Sequence, residues 1–187
     1  MKCIYLLCIF FLISFIFVRC SNAEIEKKME EMMYKKVEIP VDRMCVLYRD
    51  APAIMRDSMY LKDRMKWIIY LDSSYCKPCQ ISSIYDWEAF MTNNNLSSDS
   101  ISFMFIFSIT KESLSDFQNA YKKACISHEA FVDTALLFAK RNPFIPKEAM
   151  FHIFLLDKNN EIVLVGNPTK NQMIKDLFLK QRKKLEE

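Results

Sequence analysis

Tyr75-Cys76-Lys77-Pro78-Cys79 stands where the apolar run Trp67-Ile68-Ile69-Tyr70-Leu71 gives way to a segment with helical spacing. The run from Lys66 to Leu71 is continuous and partly β-branched, the pattern of a central strand buried on both faces. After it, Ile81, Ile84, Tyr85 and Phe90 recur at near-helical intervals and predict a helix to about Met91. Two cysteines two residues apart at such a junction can close a small disulfide and open it again. The first sulfur falls at a helix start, where unpaired backbone N–H groups and the macrodipole favour a thiolate. A thiol placed there has a lowered pKa and is a nucleophile near neutral pH. On this reading Cys76 attacks and Cys79, one turn in, resolves. The plainer alternatives are a structural disulfide or half of a zinc site. Zinc normally needs a second Cys/His pair, and none with the right spacing is present.

Further along, Ile101 to Phe107 (ISFMFIF) predicts a second buried strand, reached across the polar loop Thr92 to Ser100. Leu114, Phe117, Ala120, Tyr121 and Ala124 make one helical face. Ile126 to Val132 reads as a short strand, and Asp133 as the cap of a helix through about Ala139. Pro143 and Pro146 break the chain. Met150 to Leu156 and Ile162 to Val165 predict two strands joined by the turn Asp157-Lys158-Asn159-Asn160. Thr169 with Gln172 has the spacing of a capping box opening a last helix, with Met173, Ile174, Leu177 and Phe178 as its apolar face. Upstream, Glu24 to Lys36 reads as a helical or loose tether. Val37 to Tyr48 reads as extended and, with Pro40, as an edge; Asp50 to Asp63 reads as irregular. Strand–helix–strand crossovers predict parallel pairing, and the hairpin adds an antiparallel edge.

The 187 residues support one domain plus appendages. Lys2 followed by the apolar run Ile4 to Val18 reads as the basic and hydrophobic parts of an export signal, short for a spanning helix. Three endings stay open. Phe17-Val18-Arg19-Cys20 resembles a lipobox with Cys20 as the lipidated residue, although Arg19 stands where such boxes carry a small residue. Ser21-Asn22-Ala23 offers ordinary cleavage, and an uncleaved anchor is the third. Each places the domain outside the cytoplasm, with lipid anchoring favoured. The expected organisation is a signal or anchor over 1–23, an N-terminal extension over 24–60 and the main domain over 61–187. Beyond residue 23, 24 basic side chains (the 26 of the whole chain less Lys2 and Arg19) face 23 acidic ones. That balance argues against a nucleic-acid partner. Gly166 is the only glycine, which excludes a glycine-rich phosphate loop. Cys45 and Cys125 either pair with each other or serve as small apolar residues. An exported dithiol rests as a disulfide unless something reduces it.

Strand, YCKPC, helix, strand, helix, then FHIFLLDKNNEIVLVGNP (151–168) and a final helix resemble the thioredoxin superfamily. Within it the chain is similar to exported, membrane-tethered thiol–disulfide oxidoreductases of the TlpA type, over about Lys66 to Lys180. The resemblance implies an α/β fold, a three-layer α/β/α sandwich with a mixed central sheet. It implies Cys76 as attacking and Cys79 as resolving cysteine, Pro78 tuning the potential and Tyr75 in the aromatic position before the first sulfur, with Lys77 between. The implied partners are protein dithiols and disulfides of the cell envelope, and the membrane through the N-terminus. No cofactor or metal is implied. Two departures stand out. The family's cis-proline, immediately before the strand facing the dithiol, falls near Met150 or Phe151, and neither is proline. The family's buried carboxylate has no match, since Tyr70 takes its place and Asp72 lies two residues on. Two rival readings remain: a binding or scaffold protein with a structural disulfide, and a copper or zinc module in which His152 on the facing strand joins the two sulfurs. His128 reads as a surface residue.

Overall fold

A computed structural model describes residues 23–48, 51–54, 63–72, 77–96 and 101–186, with side chains described for all of these except 51–54, 77–80 and 184–186. Residues 1–22, which hold Cys20 and nearly all of the expected signal or anchor, lie outside the described residues, as do Tyr75 and Cys76. So do the side chains of Lys77, Pro78 and Cys79.

Seven strands form one sheet in the order β2-β1-β5-β4-β3-β6-β7. They are β1 (Cys45–Tyr48), β2 (Ala51–Ile54), β3 (Met65–Leu71), β4 (Ile101–Ser108), β5 (Ala130–Asp133), β6 (Ile153–Leu156) and β7 (Ile162–Val165). β3, β4 and β5 run parallel, while β6 and β7 on one side and β1 and β2 on the other pair antiparallel. The helices are α1 (residues 23–32), α2 (Lys77–Asn93), α3 (Leu114–Lys123), α4 (Leu137–Arg141) and α5 (Gln172–Glu186).

β3 lies between β4 and β6, and every residue from Met65 to Tyr70 is buried, as its unbroken apolar pattern predicts. Both parallel crossovers step in the same direction along the sheet, so right-handed connections set α2 and α3 on one face. There Trp67, Ile69, Phe105 and Phe107 meet Ile84, Trp87, Phe117 and, from α5, Phe178. The Trp67 ring lies 5.6 Å from Trp87 and 5.5 Å from Phe178, centroid to centroid. The alternate residues Ile68, Tyr70, Met104 and Ile106 face a second core with Met32, Val41, Phe138 and Phe151. The sheet is therefore covered on both sides, a three-layer α/β/α arrangement.

The expected tether is packed. Residues 23–32 are helical, and Met32 at their end is fully buried. The chain then runs along the β6–β7 hairpin: Tyr34 N–H donates to Ile162 O (2.9 Å), Ile162 N–H to Lys35 O (3.1 Å) and Val37 N–H to Asn160 O (2.8 Å). β1 is not an edge. β2 lies outside it, in the stretch read as irregular, and Pro52 is tolerated there because an edge strand need not donate on both sides. The strand predicted at Ile126 begins only at Ala130, and the one predicted from Met150 begins at Ile153, after a 3-10 turn over Ala149–Phe151. α4 runs Leu137–Arg141, with Asp133 reaching its start. The last helix is capped by Asn171, whose Oδ1 accepts from Ile174 N–H at 3.2 Å. The Thr169–Gln172 box does not form, because Thr169 instead bonds Asn167 Oδ1 through both its N–H (2.9 Å) and its hydroxyl (2.8 Å).

Candidate functional site

The parallel strands β3, β4 and β5 end along one edge of the sheet, and that edge is where open α/β sheets carry their sites. α2 starts at Lys77, five residues after Asp72, so Cys79 is the third residue of the helix and Cys76 immediately precedes it in sequence. β6 runs the other way, so its first residues arrive at the same edge. The Tyr70 N–H donates to His152 O at 2.9 Å, which extends the β3–β6 ladder by one bond beyond Ile69 and Ile153.

Polar side chains gather at this edge on the sheet face away from α2. Leu71 pairs with Phe107 and Ser108 with Asp133, which brings Asp72, Ser108 and Asp133 level at three adjacent strand ends. Ser108 and Asp133 are buried, and Asp133 keeps Oδ1 without a protein hydrogen-bond partner among the described residues. The other Asp133 oxygen, Oδ2, accepts from Phe138 N–H at 2.7 Å and so starts α4. Burial pushes the Tyr70 phenol pKa upward; the neighbouring Ser108 hydroxyl opposes that, and the Asp72 and Asp133 carboxylates add to it.

His152 is 3 % exposed. Its Nε2 lies 2.9 Å from the Pro146 carbonyl oxygen. A carbonyl only accepts, so Nε2 carries the proton and donates. Nδ1 then faces the cavity, 3.9 Å from Asp72 Oδ2 and without a hydrogen-bond partner. The Tyr70 ring stands edge-on to the imidazole, 4.9 Å between centroids. Burial lowers the His152 pKa; the bond to Pro146 and the charges of Asp72 and Glu148 oppose that. These groups line a cavity of about 120 Å³, closed by Phe138, Asn142 and Lys147. A second cavity of about 180 Å³ lies on the α2 side of the same strand end, between Leu71, Trp87, Ala149, Ile153 and Thr169, with the Asp86–Lys170 ion pair (2.6 Å) among its borders. A wider hollow, about 890 Å³, lies at the opposite end of β4, lined by Tyr48, Arg64, Glu88 and His128 among others.

No family model matches the chain, and no curated protein matches it. Solved structures do. A putative thiol:disulfide interchange protein DsbE from Chlorobium tepidum shares 13 % identity over 78 % of this chain and 96 % of its own, with a TM-score of 0.51. AhpC from Mycobacterium bovis shares 12 % identity over 80 % of this chain and 97 % of its own, also at 0.51. A PrxQ mutant from Xylella fastidiosa shares 7 % over 80 % and 96 %, at 0.50.

The chain has a thioredoxin-like fold. In this thioredoxin-like frame several sequence expectations move. The position immediately before the strand beside β3 is His152, not Met150 or Phe151, because β6 begins at Ile153. No peptide bond is cis among the described residues, and His152 itself closes the 3-10 turn with φ −84° and ψ 0°. His152 is therefore beside the strand rather than on it, with its ring turned into the second core. A buried carboxylate is present after all, as Asp133 on β5, two strands from where the family pattern was sought. Asp133 and Asn142 were missed as site residues because each reads as ordinary capping or loop chemistry; only strand register shows the first converging with Asp72. His128 is half-buried rather than superficial, packed 5.8 Å from the Phe105 ring and 3.9 Å from Glu88 Oε1. Cys45 and Cys125 are free and not paired with each other. Cys45 packs against the first core, where burial pushes its thiol pKa up, while Cys125 is exposed at the end of α3. Among the described residues no group of three His, Cys, Asp or Glu could hold a metal ion, and no helix is long and apolar enough to cross a membrane.

Proposed function

We propose that this protein is a thiol–disulfide oxidoreductase that exchanges a Cys76–Cys79 disulfide with protein partners outside the cytoplasm. One observation carries the reading: a Cys-x-x-Cys sequence falls where the fully buried central strand β3 leads into α2, at the carboxyl edge of the parallel strands. The peptide dipoles of a 17-residue helix stabilise an anion at that start. Cys76 thiolate attacks a partner disulfide, forms a mixed disulfide and releases one partner thiolate. Cys79 then attacks Cys76 sulfur, closes the intramolecular disulfide and releases the second. The partner disulfide is reduced and the dithiol oxidised; the reverse sequence oxidises a partner dithiol. The likeness to a putative thiol:disulfide interchange protein supports the reading at the level of fold. The N-terminal apolar run and Cys20 support export and tethering at the membrane.

The experiment is capture of the intermediate. With Cys79→Ser the mixed disulfide on Cys76 has no resolving thiol and accumulates as adducts that a reductant releases, whereas Cys76→Ser forms none and does not reduce insulin. Undiminished insulin reduction by Cys76→Ser would remove the assignment.

A further inference from the structure

The small cavity beside β3 sets two hydrogen-bond acceptors against each other. The Nε2–H of buried His152 is committed to the Pro146 carbonyl, so Nδ1 is a lone pair, without a partner among the described residues. Asp72 Oδ2 stands 3.9 Å from it, a separation at which two acceptors can share one donor that carries two hydrogens. The Asn142 amide is engaged at both ends, accepting from Glu38 N–H and donating to Glu38 O and Phe138 O. The Tyr70 hydroxyl bonds Ser108. Lys147 is the one cation among the lining residues, and it is exposed. A buried lone pair facing a carboxylate is unfavourable until a donor comes between them.

We propose that this cavity is a subsite for a primary ammonium group, held between His152 Nδ1 and the Asp72 carboxylate. The site stands apart from the dithiol reading and needs neither cysteine. An alkylammonium has three N–H donors: one reaches Nδ1, and another reaches Asp72 in a charge-assisted bond. Water can bridge the same two atoms, but only a cation also answers the carboxylate's charge. The Tyr70 and Phe138 rings, 5.0 Å apart between centroids, wall the cavity, and aromatic faces attract positive charge. Asp72 is the only acid among the lining residues, while nearby Glu148 is held by Lys28 at 2.7 Å. An anion is disfavoured beside Asp72. At about 120 Å³ the cavity admits methylammonium or the tip of a lysine side chain, and nothing much larger. The Asp72 side chain is 24 % exposed against 4 % for His152, which puts the mouth of the cavity at Asp72. A free amine and a lysine of a polypeptide share this chemistry.

The test follows the imidazole nitrogens by NMR in the full chain, isotope-labelled on histidine, at about pH 7.5. There the imidazole is neutral, its pKa being lowered by burial, and an alkylamine is charged. His128→Gln identifies which of the two histidines gives which signal. Methylammonium chloride should shift the His152 Nδ1 resonance saturably, because that lone pair gains a donor. Tetramethylammonium chloride, with the same charge and no N–H, should leave it in place. Asp72→Asn should weaken methylammonium binding about tenfold or more, since it removes the charge from a charge-assisted bond. Lys147→Met, at an exposed position, should tighten it by removing a repelling cation. N-acetyl-lysine amide separates the two sources. A matching shift makes the ligand a lysine side chain of a polypeptide, and no shift beside a bound methylammonium makes it a small free amine. No saturable shift with methylammonium up to about 0.1 M would overturn the proposal and leave water as the only bridge. An equal shift with tetramethylammonium, or undiminished affinity in Asp72→Asn, would overturn it too.

Discussion

Asn142 shows how much one buried amide holds in place. Its Oδ1 accepts from Glu38 N–H at 2.8 Å, and its Nδ2 donates to Glu38 O and Phe138 O, each at 2.8 Å. The N-terminal segment, the end of α4 and the polar cavity thus meet on one side chain. Asn142→Ala leaves those backbone groups unmatched and should cost about 1–3 kcal/mol, read from urea unfolding. The two histidines give a pH signature. Burial lowers both pKa values in the folded state, so below the ordinary histidine range the unfolded chain binds more protons than the folded one. Stability should therefore fall as pH drops from about 7 towards 5. The decline should shallow in His128→Gln and His152→Gln if these rings cause it. Glu112 and Glu148 have lowered pKa values, so their contribution is lost only further down, in the carboxylate range. A decline unchanged in both histidine variants would assign the effect elsewhere.

At the level of elements, the N-terminal segment matters most. Met32, Val37, Val41 and Met44 are buried in the second core, and residues 34–37 cover the hairpin whose outer strand would otherwise be a bare edge. Met32→Ala should cost about 2–5 kcal/mol, the range for emptying a fully buried site; a cost near zero would mean this segment is a detachable tether. The start of α5 offers a smaller test. Asn171→Ala should cost about 1 kcal/mol, since Asn171 is the cap that is made. The sequence pointed to Thr169 because a capping box is a spacing rule, and Asn167 competes for Thr169 with a local turn that no spacing reveals. Long periodic elements were legible for the opposite reason. β3 and β4 each bury a continuous apolar run and α2 buries a periodic one, with Tyr85 alone of its predicted face exposed, and β4 and α2 end within two residues of where those patterns end. The elements misplaced, β5, β6 and β2, are four-residue strands whose bounds depend on partners distant in the chain. His152 fell in such a stretch. Expected on the facing strand, it lies in the turn before it, because β6 starts at Ile153 and not at Met150, and Asp133 converges only through its pairing with Ser108.

For the molecule as a whole, fold and chemistry separate. The sheet order and its two covering layers give a thioredoxin-like frame, and the structures it resembles include a putative thiol:disulfide interchange protein, a PrxQ mutant and AhpC, so the frame does not fix the chemistry. The proposal of exchange rests instead on the Cys-x-x-Cys sequence that runs into the start of α2. Tethering is an independent claim: Cys20→Ser should release the protein from the membrane fraction if a lipid on that residue anchors it, and unchanged fractionation would point to a cleaved signal or an uncleaved anchor. The central claim has a direct measure in the potential of the dithiol. A pair that works by exchange must sit near the potentials of its partners, whereas a structural disulfide lies far below them. Equilibrating the full chain in glutathione buffers of graded potential, and reading the Cys76–Cys79 state by alkylation and peptide mass, should give a midpoint between about −270 and −120 mV. A midpoint below about −300 mV would contradict the account and make the disulfide a staple rather than a reagent.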